Sequence, residues 1–426
     1  MNLLIQNTLI LPMTEPELSF RGDIGIADGR IQFVGKADPS FVAQRVIDGS
    51  HHLTMPALVN AHTHLSMILM RNYKDNLPSL QAWLSEIFPI EDTLTEADIL
   101  TASRLAIAET IQSGVTTFCD MYFHSEATAQ AVLEGGIRAN LGLTLFGDEA
   151  SSRARIAERE GAMLALRDDP SGRITLSAAP HAVYTCTKET YQLANRWARE
   201  HDALLHTHLS ETRKEVDDCI AANDLTPLFY LESIGALEGV RSLFAHGVFL
   251  NDEEITHLAQ MNASIVHNPS SNLKLNCGIA PTSTYLKRGL HLALGTDGAS
   301  SNNNLNMVEE MHLAALLGRL EGNLSAWEVV KMATLDGARA LGLDQKIGSI
   351  EVGKEADLIM VDLAKSHLTP LNDPFSSLVY SAQASDVSTV LCKGEILMHD
   401  RTLTHIDVET LIEESNRTWS DVLKRR

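Results

Sequence analysis

Apolar and polar residues alternate in two runs near the start of the chain, LLIQNTLIL and GDIGIADGRIQFVGK. A period of two predicts half-buried strands. Asp28-Gly29, inside the second run, predicts a two-residue hairpin turn. The segment RVIDGSHHLTMPALVN carries β-structure to about residue 55.

From there the pattern changes to short apolar runs separated by helical ones. The runs are PALVNAHTHL, VTTFCDM, IRANLGLTLF, ITLSAAPH, ALLHTHLS, SLFAHGVFL, ASIVHNPS and LHLALGTDG. KETYQLANRWAREH and DEEITHLAQM are typical of the helical patterns between them. One helix is well marked: Thr95 caps it with Asp98 nearby, Leu94 and Ile99 form a staple, and Gly114 sits where a C-terminal cap belongs. Eight β-α units predict an α/β fold, a (β/α)8 TIM-like barrel. An open doubly wound sheet is the alternative, but no Gly-rich phosphate loop follows the first strand. Ser325 and Glu328 predict a capped helix running through EVVKMATLDGARAL. GSIEVGKEADLIMVDL and VSTVLCKGEILMHD then return to strand patterns. The economical organisation is a small β-sandwich domain from both termini, 1–55 and 351–426 with a terminal helix, around a barrel at 56–350.

The chain has 426 residues, of which 44% are hydrophobic, enough for a large core. A net charge of −21 makes nucleic-acid backbones and anionic membrane surfaces poor partners. The five cysteines are widely spaced and include no C-x-x-C, which argues against a disulfide framework and a cysteine-based zinc site. The first residues lack the basic region and cleavage site of a signal peptide, and no apolar run approaches the ~18 residues of a membrane span. A cytoplasmic protein is expected.

The polar residues in the apolar runs carry the chemistry. His62 and His64 close the first barrel strand on one side of it. His181, His208, His246, His267 and Asp297 fall at the ends of later runs. In a barrel these ends share one face, where active sites form. Imidazoles and a carboxylate gathered there suit a metal. His206 is the alternative to His208 as a ligand, or packs inside the barrel. His267 reads more simply as a partner for the turn at Asn268-Pro269. Glu211, three residues after His208, can look into the same mouth, or serve as a first-turn helix glutamate.

PALVNAHTHL, HTHLSET, FAHGVFLNDEEI, HNPSSNLKLNCGIAP and LGTDGASSNNNLNMVEEM occur in this order. Together they closely resemble the amidohydrolase superfamily, and within it the 5-methylthioadenosine/S-adenosylhomocysteine deaminases and their aminohydrolase and chlorohydrolase relatives. The resemblance covers nearly the whole chain. It implies one divalent metal per subunit, usually zinc, with iron or manganese able to occupy the same ligands: His62, His64, His208 and Asp297. It further implies that Glu211 handles protons, that His246 polarises the attacking water and that Asp297 accepts a proton. By the same resemblance Glu91 holds ribose hydroxyls and His181 contacts the substrate. Arg153 or Arg155 would meet a homocysteine carboxylate, with Leu143 standing where an earlier arginine falls. The activity implied is hydrolytic deamination of adenine nucleosides (5′-methylthioadenosine, S-adenosylhomocysteine, adenosine or 5′-deoxyadenosine) to the inosine analogue and ammonia. Guanine or cytosine deamination and triazine chlorohydrolysis or aminohydrolysis are the alternatives on the same scaffold. A homo-oligomer, dimer or tetramer, is expected from the resemblance alone.

Overall fold

A computed structural model describes residues 2–426. Five strands open the chain: β1 (Leu3–Ile10), β2 (Phe20–Ala27), β3 (Arg30–Gly35), β4 (Arg45–Asp48) and β5 (His52–Pro56). The expected hairpin joins β2 to β3. Asp28 and Gly29 both have positive φ, 51° and 74°, as a type I′ turn requires.

Eight parallel strands follow: β6 (Leu58–Thr63), β7 (Val115–Asp120), β8 (Arg138–Leu145), β9 (Ile174–Pro180), β10 (Leu204–Leu209), β11 (Ser242–His246), β12 (Ala263–His267) and β13 (His291–Leu294). They pair in chain order, with helices between them, in a nearly closed TIM-like barrel. Closure between β13 and β6 is made without a regular ladder. Thr296 N–H donates to Asn60 Oδ1 (3.0 Å), Asn60 Nδ2 donates to Thr296 Oγ1 (2.7 Å), and Asp297 N–H donates to the His62 carbonyl (3.0 Å). A Cβ on Gly295 would lie 2.7 Å from the His62 carbonyl oxygen, so the seam closes only over glycine. It sets Asp297 beside His62.

The helix Glu96–Gln112 starts at a complete Thr95/Asp98 capping box. Ser325 and Glu328 form another, but the helix they open stops at Met332, and a second runs from Leu335 to Ala340. The expected single helix is broken because the Ala333 carbonyl accepts the Val59 N–H of β6 (2.8 Å). The barrel floor takes a carbonyl that a continuous helix would have used itself.

The chain returns to β-structure with β14 (Leu358–Asp362), β15 (Val387–Cys392), β16 (Glu395–His399) and β17 (Thr402–Leu403). β5 pairs with β1 on one side and β14 on the other, so both termini join in one continuous nine-stranded sheet. The sheet curls until β3 meets residues just before β14, with Ile31 N–H donating to the Lys354 carbonyl (2.9 Å). Ile5, Ile24, Leu358 and Leu391 pack inside the curl. Leu53, Met55, Ile359 and Val361 face the other way and join the core of the barrel. Arg138 of β8, nearly buried, crosses this junction to Asp357 (2.9 Å) and Glu355. The last helix, Val408–Lys424, packs on the barrel helix Glu96–Gln112. Among the described residues no helix is long and apolar enough to cross a membrane.

Candidate active site

The C-terminal ends of the barrel strands open into a cavity of about 520 Å³, lined by His64, His181, His208, Glu211, His246, Asp297 and Glu91 among others. His62 lies beneath it, fully buried. Residues drawn from six segments of sequence therefore meet in one place.

Each imidazole is fixed by its outer nitrogen. His64 Nδ1–H donates to the Met121 carbonyl (2.6 Å) and His208 Nδ1–H to the His181 carbonyl (2.8 Å). Both turn Nε2 inward, and these two nitrogens face one another at 3.3 Å. His62 Nδ1 pairs with His206 Nε2 (2.9 Å), while its Nε2 is buried with no hydrogen-bond partner. Asp297 Oδ1 lies 3.5 Å from His62 Nε2 and 3.2 Å from His64 Nε2. The Ser271 hydroxyl (2.5 Å) and the Gly298 N–H (2.8 Å) orient that carboxylate. Asp297, His246 and Ser210 hold positive φ values of 59°, 74° and 49°, backbone strain gathered at one site.

Burial keeps the His62 imidazole neutral, with its pKa near 4, and holds His208 well below the ordinary value. Burial also opposes charge on His64, but the Asp297 carboxylate outweighs it and lifts the pKa to about 9. His62, His64 and Asp297 can hold a cation together, and so can His62, His208 and His246. An orphaned buried nitrogen and facing ring nitrogens fit a divalent ion with a preference for N and O donors.

His246 Nδ1–H donates to Asn272 Oδ1 (2.8 Å), which turns Nε2 toward the Glu211 carboxylate, 3.9 Å away. Burial raises the Glu211 pKa, and the Cys277 thiol donates to its Oε1 (3.4 Å). Glu91 ends the helix Leu80–Glu91 and lines the cavity; burial lifts its pKa to about 7, offset in part by Tyr122. His181 is stacked on Phe146, with ring centroids 4.6 Å apart.

Other expected residues lie elsewhere. His206 stands behind His62 rather than at the mouth, with its Nδ1 3.5 Å from Cys119 Sγ. His267 is buried, and neither ring nitrogen has a hydrogen-bond partner, so it does not tie the turn after it. Arg153 is an exposed helix residue whose guanidinium is bound by Glu149 (2.7 Å), one turn earlier. Arg155 packs behind the Phe123 ring, 5.4 Å from its centroid. Neither arginine lines the cavity, because the helix Glu149–Arg167 turns both away from it. Sequence reasoning missed Glu215, Cys277 and the aromatic wall of Trp83, Phe88, Phe123 and Phe146; only the run of carboxylates in SETRKEVDD hinted at the first.

A parallel barrel with histidines and an aspartate at its strand ends, a buried glutamate beside them, and a small sheet from both termini defines a metal-dependent hydrolase scaffold. The chain belongs to the amidohydrolase family, whose model matches residues 53–397. It is 40% identical to a 5-methylthioadenosine/S-adenosylhomocysteine deaminase of Thermoanaerobacter pseudethanolicus, with all of both chains covered. It is 42% identical to a 5′-deoxyadenosine deaminase of Methanosphaera stadtmanae, with 97% of each covered. Among solved structures, an adenosine deaminase from Xanthomonas campestris with bound zinc superposes with a TM-score of 0.94 at 32% identity, over 99% of this chain and 98% of that one.

Proposed function

We propose that the protein is a metal-dependent hydrolytic deaminase of adenine nucleosides, releasing ammonia and leaving the 6-oxo purine. The observation that carries this reading is the placement of a buried Glu211 next to a cluster of converging imidazole and carboxylate donors, with Glu91 lining the same cavity. The relatives named above, spanning the whole chain, act on this substrate class by name.

His62, His64, His208 and Asp297 would hold the ion, and zinc suits these donors. When bound, a divalent ion supplies the Lewis acidity that brings the pKa of water down toward ~7. Glu211 takes a proton from the attacking water and delivers it to N1 of the adenine ring, then assists the departing amino group. Its raised pKa suits a group that must cycle between both protonation states. His246, fixed by Asn272, orients the water through Nε2 and stabilises developing charge. Asp297 accepts the remaining proton and returns it to the departing amino group, which leaves as ammonia. Glu91 holds the ribose hydroxyls, a contact that a bare base or a triazine cannot use. The face of His181 contacts the substrate. A cytoplasmic location agrees with five free, buried cysteines.

The test is direct. Zinc-loaded protein is mixed with adenosine, 5′-methylthioadenosine and 5′-deoxyadenosine, and adenine absorbance and ammonia are followed. Loss of absorbance with stoichiometric ammonia is expected; no change with any of the three removes the reading.

A further inference from the structure

His206 and His208 leave β10 on the same side, two residues apart. The His62 ring sits between them, its centroid 5.0 Å from each. His208 stands at the mouth. His206 stands beneath, with its Nε2 2.9 Å from His62 Nδ1.

The contact behind His62 continues as a chain of polar groups. His206 Nδ1 lies 3.5 Å from Cys119 Sγ, the Cys119 thiol donates to Asn140 Oδ1 (3.4 Å), and Asn140 Nδ2 donates to Thr175 Oγ1 (3.0 Å). Cys119 and Asn140 are direct partners across β7 and β8, and Asn140 and Thr175 across β8 and β9, so the register of the barrel spaces the chain. His62, His206, Cys119 and Asn140 are each no more than 1% exposed, and water does not compete for their bonds.

The chain has a direction. Asn140 Oδ1 can only accept, so the thiol spends its proton there and turns a lone pair toward His206. His206 then carries its proton on Nδ1 and accepts through Nε2. His62 answers with a proton on Nδ1, which leaves its Nε2 lone pair facing the donor cluster. We propose that His206, backed by Cys119 and Asn140, is a positioning residue that sets the tautomer and ring orientation of His62 for the ion. The inference rests on the metal-dependent reading above. His64 and His208 are oriented by backbone carbonyls, which no substitution removes. His62 is oriented by a side chain, so its presentation can be altered. An imidazole takes this part without burying another charge.

Two measurements test this without turnover. In protein labelled with 15N-histidine, two-bond correlations show which ring nitrogen of His206 carries the proton; Nδ1 is expected with and without zinc. Zinc affinity is then measured by competition with a chromophoric chelator. It is expected to weaken about 10–100-fold in His206→Phe, and to recover in His206→Gln, whose amide oxygen still accepts from His62 Nδ1. Cys119→Val should weaken it in the same direction and by less. Melting of the metal-free proteins checks that each variant folds; if His206→Phe does not, the tautomer and Cys119→Val decide. A proton on Nε2 of His206, or unchanged zinc affinity in folded His206→Phe, overturns the inference and leaves the deaminase reading standing. Wild-type protein that binds zinc in this His206-dependent way but deaminates no adenine nucleoside sinks the deaminase reading alone.

Discussion

The carboxylate of Glu215 accepts two consecutive backbone N–H groups, that of Ser210 at 2.9 Å and that of Glu211 at 2.8 Å. Glu215 lies in the first turn of the helix Arg213–Asn223, and it reaches back to clamp the turn after β10. Ser210 at the head of that turn has a φ of 49°, which its own side chain does not favour. The clamp therefore aims Glu211 into the cavity.

Removing the clamp should blunt chemistry more than binding. Glu215→Gln replaces one acceptor oxygen by an amide NH2 facing a backbone donor. We expect kcat to fall at least about tenfold through misalignment, with metal content unchanged. Steady-state kinetics with elemental analysis reads both; an unaltered kcat would show that the turn holds itself.

Glu211→Gln keeps the shape of the side chain and removes its proton chemistry. A loss of about 10²–10⁴ in kcat is expected, with metal retained. Wild-type turnover in that variant would refute the assigned role.

Stripping the metal should abolish activity and lower the melting temperature, since an ion that binds only the folded chain stabilises it by mass action. Adding zinc should restore both. His62→Ala and Asp297→Asn should each bind less than stoichiometric metal after reconstitution, whereas Arg153→Ala, on the exposed face, should match the parent.

The junction between barrel and sheet has its own signature. Burial raises the Asp357 pKa, but Arg138 outweighs it and holds the carboxyl below its ordinary value. The depressed pKa adds stability above the unfolded value of ~3.9, and this is lost as pH falls through the folded value. Arg138→Met strands the buried carboxylates and should cost about 3–5 kcal/mol at neutral pH. Urea unfolding at several pH values should show the penalty shrinking below pH ~4, where Asp357 takes up a proton; a penalty independent of pH would mean lost packing instead.

Local chemistry made much of this molecule legible. Asp28-Gly29 and the Thr95 and Ser325 capping boxes act within a few residues, and each appears where expected. The histidines stood out because strand ends in a barrel converge. What escaped depends on partners distant in sequence. The break after Met332 comes from Val59, and Phe88, Phe123 and Phe146 look like ordinary core residues until three segments bring them to one wall. Arg153 is named by the resemblance, and only the phase of its helix shows that it points elsewhere.

The pairing of β5 with β14 has a consequence for biosynthesis. A nascent chain exposes Leu53 and Met55 on a strand whose antiparallel neighbour emerges only after the entire barrel has been translated, about 15–60 s at about 5–20 residues per second. Throughout that interval β5 offers a sticky edge to any other extended polypeptide, which makes it the place where chaperone attendance matters most.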